Sequence, residues 1–89
     1  MKSNPGFQKL LDHYKVPYEN RSGGASHHAA HLFTSEAEIF FWGSDYHDST
    51  SVSVFRPCSE QVLGTFESSD ADVLIQAVDN LLERLRNGS

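Results

Sequence analysis

The run Glu38-Ile39-Phe40-Phe41-Trp42 constrains the fold of this chain more than any other stretch. We predict a strand here, and a strand sends successive side chains to opposite faces of its sheet. Ile39 and Phe41 then point one way, while Phe40 and Trp42 point the other, so both faces are apolar. A chain of 89 residues can cover one face of a sheet with its own helices but has little left for the second. The second face is therefore the expected place for a partner.

Length and composition predict one small folded domain, residues 1–89. The hydrophobic content of 38% and charged content of 21% are ordinary for a soluble globule, and the aromatic content of 11% argues against disorder. No apolar run approaches the roughly 20 residues of a membrane span or the roughly 7 to 15 of a signal-peptide core. The single cysteine, Cys58, has no partner in the chain for a disulfide. We expect a cytoplasmic protein whose fold is held by packing alone.

The acidic residues are unevenly distributed, and their distribution bears on the partner. Residues 22–83 contain ten acids and one base, and the net charge of the whole chain is −5. The acids are Glu36, Glu38, Asp45, Asp48, Glu60, Glu67, Asp70, Asp72, Asp79 and Glu83, and the base is Arg56. A nucleic-acid-binding protein groups Lys and Arg to neutralise phosphates, so direct binding to DNA or RNA is not expected. The surface favours a basic partner, or else the scattered acids serve solubility alone.

Two amphipathic helices are predicted, one near each end of the chain. Apolar residues at helical spacing predict the first over Pro5–Tyr14 and the second from the capping run Ser68–Asp72 to about Arg86. Strands are predicted at Ala29–Thr34, Glu38–Trp42, Ser51–Arg56 and Gln61–Phe66. Before them, a short extended piece at Tyr18–Arg21 leads into a flexible loop at Ser22–Ser26.

The order helix, strands, helix with short links predicts the fold class. We expect a two-layer α+β domain in which an antiparallel meander of three to four strands carries both helices on one face. Val62 and Phe66 are expected on the same side of the last strand, because they are an even number of residues apart.

The histidines are the first candidates for chemistry, and they are His27, His28, His31 and His47. On a helix, histidines at i and i+4 can share a zinc ion. The two glycines just upstream and the strand-like Leu32-Phe33 downstream leave little room for a helix here. We therefore predict no metal and no other cofactor.

No set of residues in the sequence predicts catalysis. His47-Asp48-Ser49 has the residue types of a hydrolytic triad, but adjacent residues cannot turn towards one another as a triad requires. Cys58 has no neighbour in sequence that would activate its thiol. Gly23-Gly24 lacks the lysine and the spacing of a phosphate-binding loop. We expect a protein that is not an enzyme.

The predicted partner-binding site comprises Phe40, Trp42, Asp45, Tyr46 and Asp48. If the helices cover the face that bears Ile39 and Phe41, the two large aromatics lie on the face away from the helices, joined there by Phe33 or Phe55, with the acidic turn beside them. Large aromatics with acids nearby are typical of protein-binding surfaces. The open alternative is that this face is covered by residues 18–28 or packs in a homodimer.

These features predict a small acidic, non-enzymatic binding protein that inhibits or regulates a basic partner, for example one that handles nucleic acid, by protein–protein contact. In general character the chain resembles the broad class of phage and bacterial inhibitor proteins, which includes anti-CRISPR and immunity proteins. That class is defined by function and has no shared motif, so the resemblance assigns no residue a role. Two alternatives remain: a small enzyme or metal-binding protein that uses the histidines, and a homodimeric structural subunit.

Overall fold

Five strands follow one another along the described part of the chain and pair in that same order, each antiparallel to the next. The computed structural model describes residues 5–23, 27–44, 46 and 49–88. The elements are α1 (Pro5–His13), a 3-10 turn (Tyr18–Asn20), β1 (Arg21–Gly23), β2 (His27–Phe33), β3 (Glu38–Ser44), β4 (Thr50–Phe55), β5 (Val62–Ser68) and α2 (Ala71–Gly88). Neither helix in these ranges has the length and apolar character needed to cross a membrane.

Both helices lie on one face of the sheet, as the sequence predicts. α1 contacts β3 and α2, and α2 contacts β4 and β5. On the sheet side of the core, Ile39, Phe41, Val52 and Val54 have no exposed surface. The helices contribute Phe7, Leu10, Leu11, Leu74, Val78, Leu81 and Leu82. Each large apolar side chain buried in this way stabilises the fold by about 1.5–3 kcal/mol. The predicted two-layer α+β class is therefore confirmed.

The meander has five strands rather than the predicted three to four, and the additional strand is β1. Its register pairs Arg21 with Ala30, Ser22 with Ala29 and Gly23 with His28. The sequence predicts a flexible loop from residue 22 because serine and glycine have low strand propensity. At Ser22 and Gly23, the first two residues of the predicted loop, hydrogen bonding to β2 outweighs this low strand propensity. Residues 24–26 of the predicted loop lie outside the described residues.

The last strand contains a register shift that the sequence does not reveal. Val54 pairs with Gly64, but the next residue, Phe55, pairs with Val62. One extra residue on β5, Leu63, is therefore accommodated as a bulge, which reverses the alternation of side chains before it. Val62 is 52% exposed, whereas Phe66 packs against the core. The prediction that Val62 and Phe66 share one side is wrong for this reason.

The first helix ends in a left-handed turn rather than at Pro17 itself. The amide of Val16 donates to the carbonyl of Leu11 over 3.0 Å, and the amide of Lys15 donates to the carbonyl of Asp12 over 3.3 Å. This pair of bonds defines a Schellman motif, in which Lys15 takes the position usually occupied by glycine. Its φ of 54° is in the left-handed region. The motif brings the chain back so that Val16 and Leu11 are both buried.

The second helix begins at the capping run that the sequence predicts. Ser68 Oγ accepts a hydrogen bond from the amide of Asp70 over 3.0 Å, and Asp70 Oδ1 accepts one from the amide of Asp72 over 2.9 Å. These bonds satisfy amides that have no partner within a helix. Lys9 Nζ lies 2.7 Å from Asp72 Oδ1, so the start of α2 is also linked to α1.

Candidate protein-binding face

The sheet has a second face, directed away from the helices, which we call the open face. Its members follow from the register: Phe40 of β3 pairs with His31 of β2 and Ser53 of β4, and all three side chains point to this side. The same rule places the following residues on it: His27, Ala29, Phe33, Glu38, Trp42, Ser51, Phe55, Val62, Thr65 and Glu67. The helices therefore leave the Phe40 and Trp42 side of the central strand uncovered.

Aromatic rings come into contact around Phe40 on the open face. The ring of Trp42 is stacked with that of Phe40 at 6.0 Å and 17° between planes. Phe55 meets Phe40 edge-on at 5.5 Å, and His31 lies 5.8 Å from Phe40 on the other side. Phe33 continues the cluster through an edge contact with His31 at 4.9 Å. These geometries are the favoured ones for aromatic pairs, so the cluster is packed although it faces outwards.

Two aromatic side chains of this cluster and the neighbouring Val62 remain exposed to a degree that is unusual for their size. The exposed fractions are 56% for Phe33, 47% for Trp42 and 52% for Val62, which is paired with Phe55. We call Phe33, Phe40, Trp42, Phe55 and Val62 together the apolar patch. A contiguous exposed apolar patch on a small soluble protein typically marks a site of interaction.

The described strand residues of the open face include two carboxylates, Glu38 and Glu67, and no Lys or Arg. Glu38 lies between Phe33 and Phe55 in the register, and its Oε1 accepts a hydrogen bond from the amide of Cys58 over 3.4 Å. Glu67 lies at the other end of the face, where its Oε2 is 3.4 Å from the hydroxyl of Ser49. A carboxylate therefore lies in the row of Phe33 and Phe55, and another in the row of Trp42.

A shallow depression of about 190 Å³ adjoins Trp42 at the end of the open face. It is lined by His27, His28, Trp42, Gly43, Ser44, Ser49, Ser51 and Glu67. Trp42, Ser51 and Glu67 are paired in one row across β3, β4 and β5. The small side chain of Ser51 leaves the space between the indole and the carboxylate.

The structure brings together part of the predicted site. Phe40 and Trp42 lie on the open face, and both Phe33 and Phe55 join them there. Tyr46 is 74% exposed just beyond β3, with its ring 6.0 Å from that of His27. Asp45 and Asp48, the acidic residues predicted beside the aromatics, lie outside the described residues.

Several residues of the face are not among the predicted site residues. His31 and Glu38 could have been found by extending the alternation of β2 and β3 to their ends. Glu67 could have been found in the same way on β5. Val62 could not, because its position depends on the bulge between β4 and β5.

The histidines do not converge in the described structure. His27 and His31 lie on the open face, four residues apart on an extended strand, which separates them by about 13 Å. His28 points to the helix side, where its ring lies 5.8 Å from that of Phe7. Among the described residues, no group of three His, Cys, Asp or Glu side chains is arranged to hold a metal ion. His47 lies outside the described residues.

Residues 18–28 are the alternative cover for the open face, but the described residues of this segment lie elsewhere. Residues 18–20 form the 3-10 turn, and Arg21–Gly23 form the edge strand beside β2. Tyr18 is 82% exposed, and the guanidinium of Arg21 lies 4.5 Å from the centre of its ring. These residues extend the sheet sideways and leave the apolar patch uncovered.

Comparisons of this chain with protein-family models, with curated proteins and with solved structures give no match. A function is therefore inferred from the geometry and chemistry of the open face.

Proposed function

We propose that this chain is a non-enzymatic binding protein that docks its open face on a basic surface of another protein and thereby inhibits or regulates that partner. The observation that carries the proposal is the apolar patch around Phe40, with Trp42 and Phe33 about half exposed on the side of the sheet opposite the helices. Docking would remove these rings from water, and such aromatic anchors commonly contribute about 2 kcal/mol or more each to affinity.

The charge of the open face supports a basic protein as the partner. Glu38 and Glu67 are the charged side chains among its described strand residues, and the chain as a whole carries −5. Complementary charge raises the rate of encounter and disfavours wrong partners, among them the phosphates of nucleic acids. The partner itself can be a protein that handles nucleic acid, because such proteins present basic surfaces. The chain would then inhibit or regulate the partner by occupying its basic surface.

The setting in which the protein works belongs to the same proposal. A fold that contains no disulfide partner for Cys58 suits a reducing compartment, so we place the protein in the cytoplasm. A small acidic domain that works through one face also suits an inhibitor of the phage anti-defence or immunity type. The alternative of a histidine-dependent enzyme or metal protein has less support, since His28 and His31 point to opposite faces of β2.

Affinity capture with matched variants tests this function. The chain, without a histidine tag, is immobilised as wild type, as Phe40→Ala with Phe55→Ala, and as Val73→Ala, and each is exposed to lysate of the source cell. Val73 is the matched control because it is an apolar residue of α2 that is 54% exposed. We expect a protein with a basic surface to be retained by wild type and Val73→Ala and lost by the double variant. Purified, it should reproduce these differences in direct titration.

Two results would contradict the proposal. One is a partner that binds the double variant as tightly as wild type, because the patch would then not be the site. The other is a dimer of wild type, detected by light scattering, that Phe40→Ala with Phe55→Ala dissociates. The second result would assign the open face to a homodimeric structural subunit. Circular dichroism of each variant establishes beforehand that the fold is retained.

A further inference from the structure

We infer that the depression beside Trp42 is a binding site for a guanidinium group, and that it receives an arginine side chain of the basic partner. This inference rests on the proposed function, which it makes more specific. Trp42 forms one wall and Glu67 the other, with Ser51 between them in the register. The rest of the lining consists of His27, His28, Gly43, Ser44 and Ser49.

The spacing of the strands sets the width of this site. Trp42 pairs with Ser51, and Ser51 pairs with Glu67, so the three residues lie side by side on neighbouring strands. Two strand spacings separate the backbones of Trp42 and Glu67 by about 10 Å. A larger residue in the middle position would fill the gap, but serine leaves it open. The volume of about 190 Å³ is sufficient for the end of one side chain.

The two walls fit the two ways in which a guanidinium is recognised. Its flat face is attracted to an indole ring, within about 6 Å of the ring centre. Its edge presents N–H groups in a fork that matches a carboxylate. Trp42 is 47% exposed, and because one face of its indole is stacked with Phe40, the other face is the one available to a guanidinium. The Ser49 hydroxyl, 3.4 Å from Glu67 Oε2, helps to hold the carboxylate beside the depression.

Three other depressions among the described residues have no aromatic side chain in their lining. The one with the greatest volume of these three, about 740 Å³, is lined by residues of α2 alone, and these include both a carboxylate, Glu83, and a guanidinium, Arg84. A single helix offers only one wall, so a ligand there would be held from one side. The depression beside Trp42, by contrast, has both an aromatic ring and a carboxylate in its lining.

Titration with Nα-acetyl-L-arginine amide tests the site without knowledge of the partner. The control ligand is Nα-acetyl-L-citrulline amide, which has almost the same shape and no charge. Trp42 is the only tryptophan of the chain, so its indole N–H gives a single, assignable signal in a ¹H–¹⁵N spectrum. We expect the arginine compound to shift that signal saturably, with a dissociation constant in the millimolar range, and the citrulline compound to leave it unchanged.

Three variants locate the binding. Glu67→Gln removes the charge of one wall and should weaken binding of the arginine compound at least fivefold. Ser51→Leu fills the gap and should abolish it. Glu83→Gln removes an exposed carboxylate on α2 and should bind like wild type. Dispersed spectra of all three show that the fold is intact. Equal binding of the citrulline compound, or wild-type affinity of Glu67→Gln, would overturn the inference.

The failure of this site can be told apart from the failure of the proposed function. If a partner binds through Phe40 and Phe55 but the arginine compound does not bind beside Trp42, the site is wrong and the function stands. If the arginine compound binds as described while the captured partner is indifferent to Phe40→Ala with Phe55→Ala, the proposed function is wrong. The role of the site in receiving that partner is then wrong as well.

Discussion

The hydroxyl of Tyr14 donates a hydrogen bond to Asp79 Oδ1 over 2.7 Å and so joins α1 to α2 across most of the length of the chain. The same hydroxyl lies 3.3 Å from the carbonyl oxygen of Ile75, and His13 Nε2 lies 3.3 Å from Asp79 Oδ2. The ring of Tyr14 also contacts Phe41 at 5.9 Å. Burial of the phenol, followed by its hydrogen bond to Asp79, raises the pKa of Tyr14 well above its ordinary value of 10.0.

Replacing Tyr14 by phenylalanine should lower stability at neutral pH and remove the loss of stability at alkaline pH that ionisation of this phenol causes. The lost hydrogen bond should cost about 0.5–1.5 kcal/mol at neutral pH. A pKa that is higher in the folded than in the unfolded state gives stability that is present below pH 10 and lost as pH rises above it. The free energy of unfolding, measured with urea at pH 8 and above pH 10, should therefore fall less between these pH values for Tyr14→Phe than for wild type.

Tyr18→Phe is the control for this comparison, since Tyr18 is 82% exposed. It should behave like wild type at both pH values. An equal alkaline loss in wild type and Tyr14→Phe would show that the phenol does not couple to folding.

Substituting Lys15 by glycine should stabilise the protein. Lys15 ends α1 with a φ of 54°, a conformation that costs an L-residue roughly 1–2 kcal/mol and glycine very little. Because glycine also increases the freedom of the unfolded chain, we expect a net gain of about 1 kcal/mol. Thermal unfolding of Lys15→Gly and Lys15→Ala separates the causes. The alanine variant removes the same side chain but keeps Cβ, so it should not be stabilised; equal stabilisation of both would contradict this account.

Gly43 is required by a close approach between β3 and α1. A Cβ built on Gly43 would lie 2.9 Å from ring atoms of Phe7, which is 6% exposed and cannot move without disturbing the core. We expect Gly43→Ala to cost about 1–3 kcal/mol, as overpacking usually does. Gly88→Ala is the matched control, because nothing lies within 4 Å of its added Cβ. Chemical denaturation measures both, and equal effects would show that the contact with Phe7 is not limiting.

Thr50 is buried to 1% exposure, and its Oγ1 has no hydrogen-bond partner in the described structure. A buried hydroxyl without a partner lowers stability, whereas a methyl group of the same shape does not. Thr50→Val should therefore raise the free energy of unfolding by about 1 kcal/mol. Thr65→Val, at an exposed position of β5, should change it little. Destabilisation by Thr50→Val would mean that the hydroxyl is satisfied in solution.

The alternation along β3 was sufficient to predict that Ile39 and Phe41 share one face and that Phe40 and Trp42 share the other, because the period of a strand is fixed by its geometry. Both pairs are apolar, so the alternation alone did not predict which face the helices cover. The helical stripes were equally informative, and they predicted both helices on one face. β1 escaped prediction because its pairing with β2 outweighs the local preference of Ser22 and Gly23.

The composition of the open face was only partly predictable. Phe40 and Trp42 follow from their own strand, but their neighbours depend on the registers between strands, which one sequence does not encode locally. Val62 reaches the face through the bulge opposite Phe55, and Glu67 reaches its position beside Ser51 through the pairing of β4 with β5. Which residues border the patch was therefore a tertiary property.

The aromatic and acidic residues of the open face should affect partner binding through different rate constants. Trp42→Ala should weaken binding by about 2 kcal/mol or more, mainly through faster dissociation, because the indole contributes by leaving water. The fold should survive, since the ring is 47% exposed. Glu38→Gln should instead slow association and reduce its dependence on salt, because exposed charges act over a distance that salt shortens. Surface plasmon resonance at low and high ionic strength measures both rates, with Glu83→Gln as the control. If Glu38→Gln changes only dissociation, or if Trp42→Ala changes neither rate, charge steering with aromatic anchoring is the wrong description of this face.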